Sequence, residues 1–166
     1  MSSSGPALHD AVRPLEWLLG KWESVKAEGF YPTIKPFDYK ESLVFSHIGQ
    51  PMLNFSFSSH DPNNKPMHNE SGFLRVNVGT NQVAFLSAQN IGVVEIEEGE
   101  VNGTELCLDS TSVSSVSFGK EPKTTKIART FKLIDENTLE QNVAMATSRT
   151  PELLPHLKVQ YKKKVE

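Results

Sequence analysis

Leu8, Val12, Leu15 and Leu19 recur every three to four positions, which lines one face of a short helix over 8–19. Gly20 is placed to end that helix, and Pro14 must bend it or mark its true first turn. Beyond Gly20 the period changes. Runs near 20–26, 37–47, 51–59, 67–78, 82–89, 92–101, 104–112, 126–133, 138–147 and 157–163 read as strands. Between them, "GTN" at 79–81, "VNG" at 101–103 and "DEN" at 135–137 suit tight hairpins. Asn102-Gly103 suits one most strongly, because that pair tolerates positive φ. "HDPNNKP" at 60–66 reads as a longer loop. Links this short force antiparallel pairing, since a parallel pair needs a crossover of about a dozen residues.

Such a sheet has an edge problem that closure into a barrel removes. The predicted fold is therefore all-β: a roughly ten-stranded antiparallel β-barrel over residues 8–166, with a flexible start at 1–7. The short N-terminal helix would plug or flank one end. Gln141 shares a strand face with Leu139, Val143 and Met145, while Ser87 and Gln89 share one with Val83 and Phe85. A solid core tolerates few such amides, whereas a wide barrel enclosing a ligand accommodates them.

Hydrophobic content of 37% and charged content of 22% fit a globular protein rather than a disordered one. A net charge of −3 argues against a broad nucleic-acid or anionic-membrane surface, and Lys162-Lys163-Lys164 reads as a solvated terminus. The single cysteine, Cys107, excludes an internal disulfide framework and a Cys-rich zinc module. In "ELCLD" its leucine neighbours suggest a buried, inert thiol. The N-terminus lacks the pattern of a secretory signal, and no apolar run approaches the ~20 residues of a membrane span. A cytoplasmic or nuclear location is expected.

The five histidines, at 9, 47, 60, 68 and 156, have no zincin spacing, and no carboxylates group near them, so a metal site built from the protein alone is not expected. No serine lies in a Gly-x-Ser-x-Gly elbow, and no glycine-rich phosphate loop is present. Glu97-Glu98, beside the Asn-Gly hairpin, reads as a solvated turn. A lone histidine does suffice for one task, the fifth ligand of a haem iron whose other four ligands are porphyrin nitrogens. His156, between Pro155 and Leu157 at the start of the last strand, is placed for it, although the ordinary reading is a loop or partly buried structural histidine. Strict alternation groups His156 with Lys158 and Gln160, an outward set. Either the strand breaks its alternation there, or His156 belongs to the preceding turn.

"PLEWLLGKWES", "FYPTIKPFDYKE", "HIGQPMLNFSFSS", "KPMHNESGFLRV", "VAFLSAQNIGVVEIEEGEVNG", "LEQNVAMAT" and "PHLKVQYKK" together resemble the nitrobindin family, from about Leu8 to Lys164. The likeness is to its animal branch, where such a domain can follow a THAP-type zinc finger. The resemblance implies a barrel shaped like the fatty-acid-binding proteins, with ferric haem b at one end. It further implies binding of nitric oxide and haem-dependent isomerisation of peroxynitrite to nitrate. His156 falls on the axial ligand, and Thr33, in Tyr31-Pro32-Thr33, on a haem contact. Met67, His68, Gln89 and Met145 fall on cavity walls, with His68 a candidate distal hydrogen bonder. The implied partners are small nitrogen oxides, with no nucleic acid or membrane, in a monomer or homodimer. One departure stands out: the family's Gly-x-Trp-x-Gly-x-Gly keeps only Gly20 and Trp22 and continues as Glu23, Ser24, Val25 and Lys26. The alternative reading is a fatty-acid or lipid carrier. Such carriers usually hold the carboxylate with an Arg-x-Tyr pair near the C-terminus, whereas the arginines here are at 13, 75, 129 and 149 and the last strand reads "KVQYKK".

Overall fold

In a computed structural model, which describes residues 5–165, one short helix is followed by eleven strands. Of the flexible start expected over 1–7, residues 1–4 lie outside the described residues. The strands are β1 (Gly20–Tyr31), β2 (Ile34–Asp38), β3 (Lys40–Ser46), β4 (Met52–His60), β5 (Pro66–Val76) and β6 (Gln82–Gln89). They continue as β7 (Val93–Asn102), β8 (Glu105–Ser115), β9 (Thr124–Asp135), β10 (Thr138–Thr147) and β11 (Leu154–Lys163). Every pairing is antiparallel, and β11 returns to pair with β1, so ten strands close a ring. β2 is an extra strand bound only to the far end of β1. The single run expected at 37–47 thus divides at Tyr39, whose N–H donates to Ala27 O at 3.1 Å.

The helix expected over 8–19 is a 3₁₀ helix, Asp10–Leu18, with Pro14 inside it. Val12, Leu15 and Leu18 are its buried residues, and their spacing of three is the 3₁₀ period. His9 Nδ1 accepts the N–H of Ala11 at 3.0 Å and caps the start. The helix leads directly into β1 and packs against the core, with Trp22 Nε1 donating to Leu18 O at 2.9 Å. It therefore covers the barrel end where β1 begins.

Inward side chains change character along the barrel. At the helix end they are aromatic and aliphatic: Trp22, Leu43, Phe45, Phe55, Phe85 and Phe131 are buried, with Phe55 and Phe85 stacked at 4.5 Å. Two residues further along the same strands the inward positions become polar, at Glu41, Ser87, Arg129 and Gln141. Further still, β5, β6, β10 and β11 present His68, Gln89, Met145 and His156 at the opposite mouth. Of the amides that suggested an open interior, Gln141 thus belongs to a narrow polar layer and Gln89 to the mouth, and the half below the layer is filled.

β7 inverts the usual pattern. Glu95 and Glu97 point inward and are 3% and 0% exposed, whereas Val94 and Ile96 face outward. The solvated turn expected at Glu97-Glu98 is therefore wrong for Glu97: the hairpin loop is Gly103-Thr104, with Gly103 at φ +61°, and Glu97 lies several residues inside the strand. Cys107 is also a correction. Leu106 and Leu108 take the inward positions of β8, so the intervening thiol is exposed beside Glu105. Partial burial and then Glu105 push that thiol up, so it remains a poor nucleophile.

Candidate functional site

The last strand places His156 through a β-bulge. Leu157, Val159 and Tyr161 point inward and Lys158 and Gln160 outward, as alternation requires. Opposite them on β10, Val143 pairs with Leu157 and the next residue, Ala144, with Pro155, so His156 is the extra residue of the bulged strand. A bulge lets two successive side chains share one face. His156 and Leu157 both line the cavity at the open mouth.

Its ring is held on two sides. Nδ1 lies 3.1 Å from Phe30 O on the neighbouring strand β1. A carbonyl only accepts, so Nδ1 carries the proton and Nε2 keeps its lone pair for another partner. The Tyr31 ring meets the imidazole edge-on at 5.6 Å, and Tyr31 itself is anchored by its hydroxyl, which donates to Met145 O at 3.1 Å. Burial, opposed by the Phe30 carbonyl, holds His156 below the usual histidine value, so the imidazole is neutral at physiological pH. A neutral ring with one fixed N–H and one free lone pair is the form that ligates a metal.

The cavity encloses about 200 Å³. Phe37, Met67, Ile127, Val143, Met145 and Leu157 supply apolar wall, with His68 and Gln89 as polar members. The structure thus gathers His156, Met67, His68, Gln89 and Met145 around one space. Thr33 is not among the lining residues: it is exposed in the turn between β1 and β2. Among the described residues no three His, Cys, Asp or Glu side chains converge as a metal site, so a metal held here brings most of its ligands with it. A planar macrocycle does that. The enclosed volume falls below the ~300–1,000 Å³ of common ligand pockets, so such a group would reach out through the mouth.

Of the floor, sequence reasoning turned only Gln141 inward. Glu41, Glu70, Arg129 and Gln141 line the deep side of the cavity. Arg129 Nε donates to Glu97 at 3.2 and 3.3 Å, Nη2 to Glu95 at 3.4 Å, and Nη1 to Gln141 Oε1 at 2.6 Å. Nη1 also lies 3.5 Å from Glu70, and the guanidinium covers the Phe85 ring at 4.4 Å. Burial opposes the Arg129 charge, but Glu97, Glu70 and Glu95 more than offset that and keep it protonated. Gln141 Nε2 in turn donates to Tyr161 Oη at 2.7 Å and Glu41 at 3.3 Å, and the Tyr161 hydroxyl donates to Glu41. Burial pushes Glu97 up to about 9 and Glu41 up to about 7. His68 is held low by burial against the pull of Glu70, whose carboxylate lies 4.0 Å from its Nε2. The available signal was phase: Arg129 falls between Ile127 and Phe131, and Glu41 between Tyr39 and Leu43, each in step with core residues.

A closed antiparallel barrel, filled at one end and carrying a neutral, oriented imidazole in a cavity with apolar walls at the other, is the architecture of a cofactor-binding barrel. The chain belongs to the family of the THAP4-like, heme-binding β-barrel domain, whose model matches residues 11–163. Peroxynitrite isomerase THAP4 of Rattus norvegicus is 54% identical over 164 residues, covering 98% of this chain and 29% of that protein. The chain thus spans less than a third of the length of that relative. Peroxynitrite isomerase Rv2717c of Arabidopsis thaliana is 37% identical over 154 residues, covering 92% of this chain and 89% of that protein. The crystal structure of Rv2717c from M. tuberculosis superposes with a TM-score of 0.85 at 30% identity, covering 96% of this chain and all of that one.

Proposed function

We propose that residues 8–166 form one haem b-binding domain that isomerises peroxynitrite to nitrate and also binds nitric oxide, with His156 Nε2 as the axial ligand of a ferric iron. The observation that carries this reading is the His156 geometry: Nδ1 is committed to Phe30 O at 3.1 Å, and Nε2 has no hydrogen-bond partner among the described residues, beside a cavity with apolar walls and a charged floor. The names of relatives matched over 89% or more of their length support the reaction. When bound, haem supplies a Lewis-acidic iron with one open coordination position at which peroxynitrite can rearrange.

The chain's own residues do the rest. His156 would hold the group through Nε2, with the ring oriented by the bulge and by Phe30 O. Met67, Ile127, Val143 and Met145 give the cavity apolar walls that would limit the access of water to a bound group. His68 and Gln89 are polar side chains of the cavity wall that would face a small anion there, and Thr33, exposed in the β1–β2 turn outside that lining, is proposed as a further contact of the group. The isomerisation needs no net proton, so no acid or base is required. A lipid carrier needs a long empty interior, and here the half beyond the polar floor is packed with buried aromatic side chains. No helix among the described residues is long and apolar enough to cross a membrane. The substrates proposed are small nitrogen oxides in the cytoplasm.

Hemin added to the purified protein should give a histidine-ligated Soret band, and His156→Ala should lose it. An unchanged band in that variant would remove His156 from the site. In stopped-flow, the haem-loaded protein should accelerate peroxynitrite decay and raise the nitrate yield, while the apo form does neither. Equal decay in both would leave a haem carrier without the isomerase activity.

A further inference from the structure

Four carboxyl side chains, Glu41, Glu70, Glu95 and Glu97, share the barrel interior with one guanidinium. Arg129 directs its donors to Glu97, Glu95 and Gln141 and lies against Glu70. Glu41 is not among its contacts: its Oε1 receives only the Tyr161 hydroxyl and Gln141 Nε2, both neutral groups. Glu95 Oε2 has no hydrogen-bond partner among the described residues. The belt therefore holds more carboxyl than positive charge. Glu41 is its member that lines the cavity without a cation in contact.

The geometry points to a further role, which rests on the haem reading above: the acidic belt holds the bound iron in its oxidised, more positive state, and Glu41 takes a proton from solvent when an external one-electron reductant reduces that iron. The electron goes to ferric iron and the proton to the Glu41 carboxylate; no other bond is made or broken. Buried negative charge favours the centre carrying one more positive charge, and it acts more strongly here than in water because the medium is less polarisable. When reduction removes that positive charge, the least compensated carboxylate becomes easier to protonate. The groups facing Glu41 are Tyr39 beside β3, Glu70 on β5, Arg129 on β9, Gln141 on β10 and Tyr161 on β11. Only Arg129 among them is positive, and it is already surrounded by Glu70, Glu95 and Glu97. With Glu41 pushed up to about 7 by burial, its exchange falls in the physiological range.

Spectroelectrochemistry of the haem-loaded protein across pH tests this, with Glu98→Gln as an outward-facing control on β7. The wild-type reduction potential should fall as pH rises through about 7. Glu41→Gln should flatten that dependence. Glu70→Gln should raise the potential at every pH, so that at a fixed ambient potential the ferric-to-ferrous ratio drops severalfold, and Glu98→Gln should match wild type. If Glu41→Gln does not fold, Tyr161→Phe replaces it: loss of the hydroxyl that stabilises the carboxylate should move the pH midpoint upward. A Soret band with a potential that ignores pH, or the same slope in wild type and Glu41→Gln, overturns this inference alone. Absence of a Soret band in wild type overturns the haem reading and this inference with it.

Discussion

Among the described residues Arg129 is the only buried cation, and its removal would leave Glu70, Glu95 and Glu97 facing one another in the barrel interior. Breaking a buried ion network from one side costs about 3–5 kcal/mol, because the uncompensated charges remain. Arg129→Met should lose roughly that much in urea denaturation of the apo protein. Adding Glu97→Gln should then cost little further, since the contacts Glu97 receives from Nε are already gone. Full additivity of the two changes would mean that the pair is not coupled. None of this was legible from residue type. Arg129's one local mark of burial is its phase between Ile127 and Phe131, and Glu97 lies in an acidic run that resembles a solvated segment. Its buried position follows from phase alone, set by which of two alternating faces the rest of the sheet turns inward.

At the scale of elements, strand periods and turn residues made most of the barrel readable, because period two and the turns are local properties. What escaped depends on partners. The bulge at His156 exists only as a mismatch between β10 and β11, so alternation along the last strand alone left its direction open. Two further register breaks lie on β1. One is between Ser24 and Lys26, where the family's glycine pattern is lost, and it leaves Val25 exposed; Ser24 Oγ there accepts the N–H of Glu41 at 2.9 Å. The pattern β1 departs from is thus accommodated by a bulge rather than by glycines. Close strand contact does demand glycine on β7: a Cβ added at Gly99 would lie 1.7 Å from Cys107 O on β8. Backbone cannot yield as a side-chain tip can, so Gly99→Ala should separate β7 from β8. The expected result is loss of more than about 2 kcal/mol of stability, or insoluble expression. A denaturation midpoint equal to wild type would show that the two strands can part without cost.

Across the whole molecule, the buried acids make stability depend on pH in an unusual direction. Glu97 is pushed up from 4.5 to about 9 by burial, with Arg129 opposing, and Glu41 from 4.5 to about 7. Between those limits the folded protein holds protons that the unfolded chain would release. Their contribution to stability is fully present below about 4.5 and is lost as pH rises through about 7 for Glu41 and about 9 for Glu97. His68 and His156 act the other way: both are held below 6.5 in the fold, so they take stability away as pH falls below 6.5. Above 7 the histidines no longer contribute a slope and Glu41, half titrated near 7, passes out of its range, so Glu97 dominates as pH rises toward about 9. Urea denaturation of the apo protein should therefore show stability falling between about pH 7 and pH 9, by up to ~1.4 kcal/mol per pH unit for one proton. Glu97→Gln keeps the size and a hydrogen-bonding oxygen but cannot ionise, so its stability should fall only slightly just above pH 7, as Glu41 finishes titrating, and be flat toward about 9. A wild-type profile that is level or rises there would mean that Glu97 is already ionised at neutral pH. The interior would then carry a larger negative charge than Arg129 can balance.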